Sequence, residues 1–297
     1  MTDVAATAGI PAASSAARSL WQDAWQRLRH NKAALASSVL LTLVTLLVFL
    51  GPLLSPYPYD FIDWEYIWGA PTVQAQHWLG TDSLGRDLFV RVLHGGQISL
   101  LVGLVSTLVS LLIGVGYGAI AGYYGGRVDA VMMRIVDILY ALPFLFFVIL
   151  LMVFFGRHLV LIFVAIGLVN WLDMARIVRG QTLSLKCKEF IEAAWMAGAT
   201  DGQVIKRHII PNLLGVVVIY ATLTIPQVIL VESFLSFLGL GVQEPSTSWG
   251  ALVNEGAQEM DRAPWLLVFP AAFLAVTLFC FNFIGDGLRD ALDPKDR

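Results

Sequence analysis

Charge is scarce in this 297-residue chain: only 14% of residues are Asp, Glu, Lys or Arg, against about a quarter in soluble domains. There are five lysines, Lys32, Lys186, Lys188, Lys206 and Lys295, and none follows a glycine. The phosphate-binding loop G-x-x-x-x-G-K-[ST] is therefore absent, so ATP hydrolysis by that route is excluded. Two cysteines, Cys187 and Cys280, lie in different segments without motif spacing and define neither a disulfide framework nor a metal site. His30, His77, His94, His158 and His208 are scattered, and neither H-E-x-x-H nor G-x-S-x-G occurs, which argues against an enzyme. A net charge of −3 does not point to nucleic acid as a partner. In place of charge there is apolar sequence, 57% of residues with a mean hydropathy of +0.72, the composition of an integral membrane protein.

A bilayer span needs about 20 predominantly apolar residues. Six segments meet this, at about 34–54, 98–123, 131–155, 159–177, 213–238 and 264–284. The third and fourth form a hairpin across Gly156-Arg157-His158. With the N-terminus inside, fifteen Lys and Arg residues lie on the inner side and four (Arg86, Arg91, Arg157, Arg262) outside. The positive-inside rule therefore predicts six spans with both ends cytoplasmic. A signal peptide is rejected, because more than thirty residues precede the first run and "GPLLSPYP" offers no small-residue cleavage site. Residues 1–33 read as a cytoplasmic tail. Its "SLWQDAWQRLRHN" places Leu20, Trp21, Ala24, Trp25 and Leu28 on one helical face, as in a helix lying on the membrane surface, and the stretch before Ser15 is expected to be disordered. Residues 34–297 form the membrane domain, with external loops at about 55–97 and 239–263 and a polar inner loop at about 180–212.

That inner loop, "EFIEAAWMAGATDGQVIKRHIIPN", interrupts membrane-grade sequence with charge. It predicts one helix from about 184 to 197 ended by Gly198, a second capped by Thr200 or Asp201 and running through His208, and a span that begins at Pro211. Ile191, Ala194 and Trp195 share a face beside Glu192, and Ala193, Ala194 and Ala197 let another surface approach closely. The pattern describes a compact helical knob suited to a partner's groove; a linker lying on lipid headgroups is the alternative. In the first external loop, Asp82 or Ser83 is expected to cap a short helix that Gly95-Gly96 breaks before the second span, with Asp82, Arg86 and Asp87 pairing around it. Gly103, Gly114, Gly116 and Gly118 are expected to admit close helix packing.

"EAAWMAG" followed by "HIIP" resembles the EAA loop of ATP-binding-cassette importer permeases. Glu192, Ala193, Ala194, Gly198 and Pro211 match; His208 stands where that pattern has Ile, and Ile210 where it has Leu. "LGTDSLGRDLFVRVLHGGQISLLVG", "SFLSFLGLGVQEPSTSWGALVNEG" and "NFIGDGLRDALDP" are similar to the C-type subunits of the oligopeptide/dipeptide branch. The resemblance implies an all-α membrane protein of the MetI-like fold, six transmembrane helices with cytoplasmic coupling helices, in the bacterial inner membrane. It implies a heterodimer with a B-type sister permease, two ATPase subunits that carry ATP and Mg, and an external peptide-binding protein; this chain itself binds no cofactor. The coupling residues it implies are Glu192, Ala193, Ala194, Gly198, His208 and Pro211. The same branch includes carriers of nickel, opines and short sugars, and a stand-alone secondary transporter is the more distant alternative.

Ionisable groups within a bilayer cost about 2.5–3.5 kcal/mol each at mid-depth, which marks them as candidates for a transport path. Glu232, flanked by Ser233 and Ser236, is the first candidate for the translocation pathway, and Asp137 the second. Asp173 and Arg176, spaced i and i+3, are expected to pair with each other. The segment 239–263 is expected to sit at the pore mouth against the binding protein.

Overall fold

A computed structural model describes residues 20–156 and 159–292. The Gly156-Arg157-His158 turn lies partly outside these, as do the stretch before Ser15, Arg18, Lys295 and Arg297. The described residues form helices α1 (Leu20–His30), α2 (Lys32–Leu50), α3 (Leu88–Tyr124), α4 (Gly126–Tyr140), α5 (Phe144–Phe155), α6 (Leu159–Leu185), α7 (Glu189–Met196), α8 (Asp201–Val204), α9 (Ile210–Phe237), α10 (Trp249–Gln258) and α11 (Trp265–Leu292). A 3-10 turn, Gly51–Leu54, extends α2, and a π turn, Ile205–Ile209, joins α8 to α9.

Among the described residues, four segments are long and apolar enough to cross a membrane: Lys32–Leu54, Leu88–Tyr124, Asp201–Phe237 and Trp265–Leu292. The expected third span is not continuous. Helices α4 and α5 meet at an 80° bend. Pro143 explains the break, because its ring bars Leu142 from helical geometry and it has no N–H to give the preceding turn. Helix α6 is the expected fourth span extended to Leu185; at 1.5 Å per residue it is about 40 Å long. Asn170, Asp173, Arg176 and Arg179 make it the most polar of the long helices in its middle.

The anticipated break at Gly95-Gly96 does not occur, since α3 runs through both. These glycines are close-approach residues. A Cβ on Gly96 would sit 2.6 Å from the Trp249 ring, and one on Gly95 would sit 3.1 Å from the Ser248 backbone. The helix cap is Asp87, whose Oδ1 accepts from Val90 N–H at 2.9 Å. Asp82 instead organises the preceding turn, accepting from the Leu84 and Arg86 amides, each at 2.9 Å.

Helix α3 is the axis of the domain. Gly114, Gly118 and Gly122, one turn apart, form a groove into which α6 presses Met174, Ala175 and Thr182. Gly103 does the same for Ile229 of α9. Gly116 points away from any neighbour and takes no part in the packing expected of it. At one end of α3, Trp249 is wholly buried among Val48, Val92, Leu252 and Leu266, and its indole N–H donates to Val92 O at 2.9 Å.

Arg91, also wholly buried, donates to Asp82 and to Glu255 Oε2 at 2.9 Å. Arg86 joins Asp82 at 2.7 Å and Glu244 at 3.0 Å. This network fastens the segment before α3 to the segment between α9 and α11 and lets α3 carry a guanidinium in its first turn without an unpaired charge. Beside it, His77 Nδ1 lies 2.8 Å from Asp87 Oδ2, with Tyr57 stacked on its ring at 4.5 Å. Burial pushes the Asp87 carboxyl above the usual carboxylate range, against the hydrogen bonds from Val90 and His77 that favour its charged form.

Candidate functional site

The polar loop between α6 and α9 folds into a knob at the opposite end of α3. Helix α7 begins at Glu189, later than expected, because α6 continues to Leu185. It ends at Gly198, whose φ of +85° is the left-handed conformation that closes a helix; Ala199 N–H reaches back to Ala194 O at 3.0 Å. Thr200 and Gln203 then form a reciprocal capping box, with Thr200 N–H donating to Gln203 Oε1 at 2.9 Å. No helix break separates α8 from the membrane. The π turn widens the backbone so that Ile210 N–H bonds to Ile205 O. Pro211, which lacks an N–H, thereby enters α9 without ending the helix. Asn212 Nδ2 donates to His208 O at 2.6 Å beside it.

The knob has two faces. Ile191 is fully buried and Ala194 nearly so; with Val204, Ile205 and Ile209 they pack onto Ala119, Tyr123, Met174 and Val178 of α3 and α6. Ala194, expected on a partner-facing surface, belongs to this attachment side. The outer face carries Glu189, Phe190, Glu192, Ala193 and Ala197, all exposed, together with Met196 at 90% exposure. An apolar tip framed by two glutamates is costly to leave in water and is the character of a docking element. Pro211 is exposed and His208 half-buried on the shoulder of the knob.

Tyr123 locks the knob to α3. Its hydroxyl donates to Asp201 Oδ1 at 2.7 Å and accepts from Trp195 Nε1 at 2.9 Å, so one side chain grips both short helices. The sequence signal was slight, a tyrosine at the end of a glycine-rich span, because its partners lie 72 and 78 residues further on.

The intramembrane ionisable groups fall into two sets. Glu232 is wholly buried; it accepts from Ser236 Oγ at 2.6 Å and Ser99 Oγ at 3.4 Å, and Ser99 Oγ accepts from Trp249 N–H at 3.1 Å. It ties α9 to α3 and α10, and in this conformation it presents no surface to a solute. Asp137 is exposed and pairs with Arg176 Nη2 at 2.9 Å, while the Arg176 guanidinium lies 4.4 Å over the Tyr140 ring. Arg176 thus bonds across to α4 and not to Asp173 as expected. Arg179 grips Asp129 through two hydrogen bonds, the longer 2.6 Å, and closes the α4–α6 contact. Asn170, Asp173, Tyr220, Thr224 and Gln227 line a groove of about 310 Å³ between α6 and α9. Their spacing, i, i+3 on α6 and i, i+4, i+7 on α9, is a one-face signal present in the sequence.

The described residues form a helical membrane domain with a two-helix knob and a glycine-packed axial span, and comparison with known proteins gives its class, a transport permease. The family model described as "Binding-protein-dependent transport system inner membrane component" matches residues 114–297, and one described as "N-terminal TM domain of oligopeptide transport permease C" matches residues 19–71. The chain belongs to the family of binding-protein-dependent transport system inner membrane components. It is 62% identical over 280 residues to the oligopeptide transport system permease protein OppC of Escherichia coli strain K12, covering 94% of this chain and 93% of that one. It is 47% identical over 277 residues to the dipeptide transport system permease protein DppC of Bacillus subtilis strain 168, covering 93% and 86% respectively. Among solved structures, a chain of the MetNI methionine ABC transporter in inward-facing conformations superposes with a TM-score of 0.54 at 18% identity, covering 67% of this chain and 94% of that one, a likeness of fold.

Proposed function

We propose that this chain is the C-type permease subunit of an ATP-driven importer of peptides in the bacterial inner membrane. It forms half of the pore beside a B-type sister permease, two ATPase subunits that hold ATP and Mg, and an external peptide-binding protein. The relatives named for oligopeptide and dipeptide transport support the substrate class. The absence of a phosphate-binding loop in the sequence assigns hydrolysis to partners. The excess of Lys and Arg on the knob side of the spans supports a cytoplasmic knob and cytoplasmic chain ends.

The observation that carries the coupling role is the two-faced knob. Its inner face is fixed to α3 and α6, and its outer face offers Met196, Phe190 and Ala193 between Glu189 and Glu192. A closing ATPase dimer that holds this outer face pulls on the ends of α3 and α6 through Ile191, Ala194 and Tyr123. Glu192 supplies the charge for a basic group of the ATPase, Gly198 sets the angle between the two short helices, and His208 and Pro211 carry the movement into α9. The test is a Met196→Cys permease, with exposed Cys187 changed to Ser, purified with its partners and reconstituted with binding protein. Cross-linking from position 196 is expected to capture an ATPase subunit, and uptake of peptide is expected to require ATP. Capture of lipid alone, or peptide uptake in the absence of any ATPase, would overturn the reading.

A further inference from the structure

Resting on the importer reading, we infer that the groove between α6 and α9 is this subunit's share of the aqueous peptide path, and that Asp173 is the group in it that receives the peptide's α-ammonium.

Position comes first. Asp173 is the fifteenth of 27 residues in α6, and Thr224 the fifteenth of 28 in α9. Both therefore lie about 20 Å from either end of their helices, at a depth within the expected spans. At that depth, polar side chains are tolerated where they face protein or water. Asp173, Tyr220 and Gln227 are exposed, and Asn170 and Thr224 are half-buried. Their neighbours Trp171, Leu172, Ala175, Val228 and Ile229, which do not line the groove, are buried. The bundle has thus turned its polar stripe outward and its apolar residues inward, the reverse of a lipid-facing surface.

Charge comes second. Asp137, Arg176 and Asp173 stand together where α4 and α6 meet the groove. Arg176 is committed to Asp137 at 2.9 Å and to the Tyr140 ring. Asp173 makes no hydrogen bond or ion pair among the described residues. The trio carries a net charge of −1 and one free carboxylate, which complements a single cation. Every unblocked peptide of any sequence brings one α-ammonium, whereas side-chain charge varies. The remaining polar groups of the lining, the Asn170 and Gln227 amides and the Tyr220 and Thr224 hydroxyls, both donate and accept, which suits a peptide backbone of arbitrary sequence, while Met174, Ile177 and Leu223 line the rest. Glu232, nearer the far end of α9, is enclosed by serines and cannot serve.

The experiment uses the reconstituted complex with its binding protein. Cys187 and Cys280 are replaced by Ser, and Gln227→Cys, Thr224→Cys and, as a lipid-side control, Leu230→Cys are introduced singly. A charged thiol reagent is expected to label positions 227 and 224, to be slowed there by transported peptide, and to leave position 230 untouched. Asp173→Asn is expected to lower uptake of a free-amine peptide on the order of tenfold, the loss of one charge-assisted hydrogen bond. Uptake of the N-acetylated peptide of the same sequence should change less than twofold, and Asp173→Glu should restore most of the loss. Each peptide is compared with itself in the unaltered complex, so recognition by the binding protein cancels. Unreactive positions 224 and 227, an equal loss for both peptides, or failure of Asp173→Asn to assemble with the sister permease would each overturn the inference. An unaltered complex that cannot take up peptide on ATP would instead defeat the importer reading itself.

Discussion

Tyr123, the penultimate residue of α3, holds the carboxylate of Asp201 at 2.7 Å while its oxygen also receives the indole N–H of Trp195 at 2.9 Å. The ring belongs to the cluster that buries Ile191 and Ala194. Tyr123→Phe removes both hydrogen bonds and leaves the ring packing intact. Each bond contributes about 0.5–1.5 kcal/mol net, so the knob should lose about 1–3 kcal/mol of attachment. The expected outcome is a complex that assembles and hydrolyses ATP normally but moves several-fold less peptide per ATP. Asp201→Asn, which keeps an acceptor oxygen, should retain most of the coupling. Measuring uptake and hydrolysis in the same proteoliposomes checks this, and an unchanged ratio in Tyr123→Phe would remove Tyr123 from the coupling path.

The α3–α6 contact supplies a contrast between two glycines of one helix. Gly118 faces Ala175 and Val178 with no room for a Cβ, whereas Gly116 has nothing within 4 Å. Gly118→Leu forces the helices apart, and overpacking of this kind costs about 1–3 kcal/mol or more. Gly116→Leu meets open space and replaces a poor helix former. Thermal unfolding of the purified complex should drop by several degrees for Gly118→Leu and hold or rise for Gly116→Leu. Equal effects would show that the helices are not packed as described.

These pairs also mark what the sequence could and could not tell. Gly198 and Thr200 were legible because helix ends are local: a glycine that turns left-handed and a threonine with Gln203 three residues on need no distant partner. The apolar runs marked the long helices, apart from the bend in the expected third span. Gly95-Gly96 misled because its meaning depends on Trp249 and Ser248, more than 150 residues away, and only the fold says whether two glycines break a helix or admit a neighbour. The Pro143 bend was masked because 131–155, despite Arg134 and Asp137, is apolar enough and long enough to read as one span. Arg176 chose Asp137 over Asp173 because α4 is packed against α6, which no spacing rule on a single helix can foresee.

Glu232 separates an architectural carboxylate from a transport one. Its oxygens accept from Ser236 and Ser99, and it has no exposed surface. Glu232→Gln keeps one acceptor oxygen in nearly the same volume, so peptide uptake should stay within about twofold of the unaltered complex. Glu232→Ala leaves Ser99 and Ser236 without their partner and opens a cavity, at about 2–4 kcal/mol. Its yield and unfolding temperature should fall. The pair is read by uptake and thermal unfolding together. A tenfold loss of uptake in a stable Glu232→Gln complex would place this carboxylate on the path after all.

At Gly198 the constraint is the backbone alone. Its φ is +85°, yet an added Cβ would meet nothing within 4 Å. Residues with a side chain adopt this conformation at a cost of about 1–2 kcal/mol, least for asparagine and most for β-branched residues. Gly198→Val should therefore distort the turn that sets α7 against α8 and abolish most uptake, while the protein still reaches the membrane in normal amount. Gly198→Asn, equally bulky in the open space beyond the turn but tolerant of left-handed geometry, should keep most of it. Uptake assays on both, normalised to membrane content, distinguish a conformational requirement from a steric one. Equal loss in the two variants would mean that the partner's surface closes over this residue and that crowding, not chain geometry, is what Gly198 avoids.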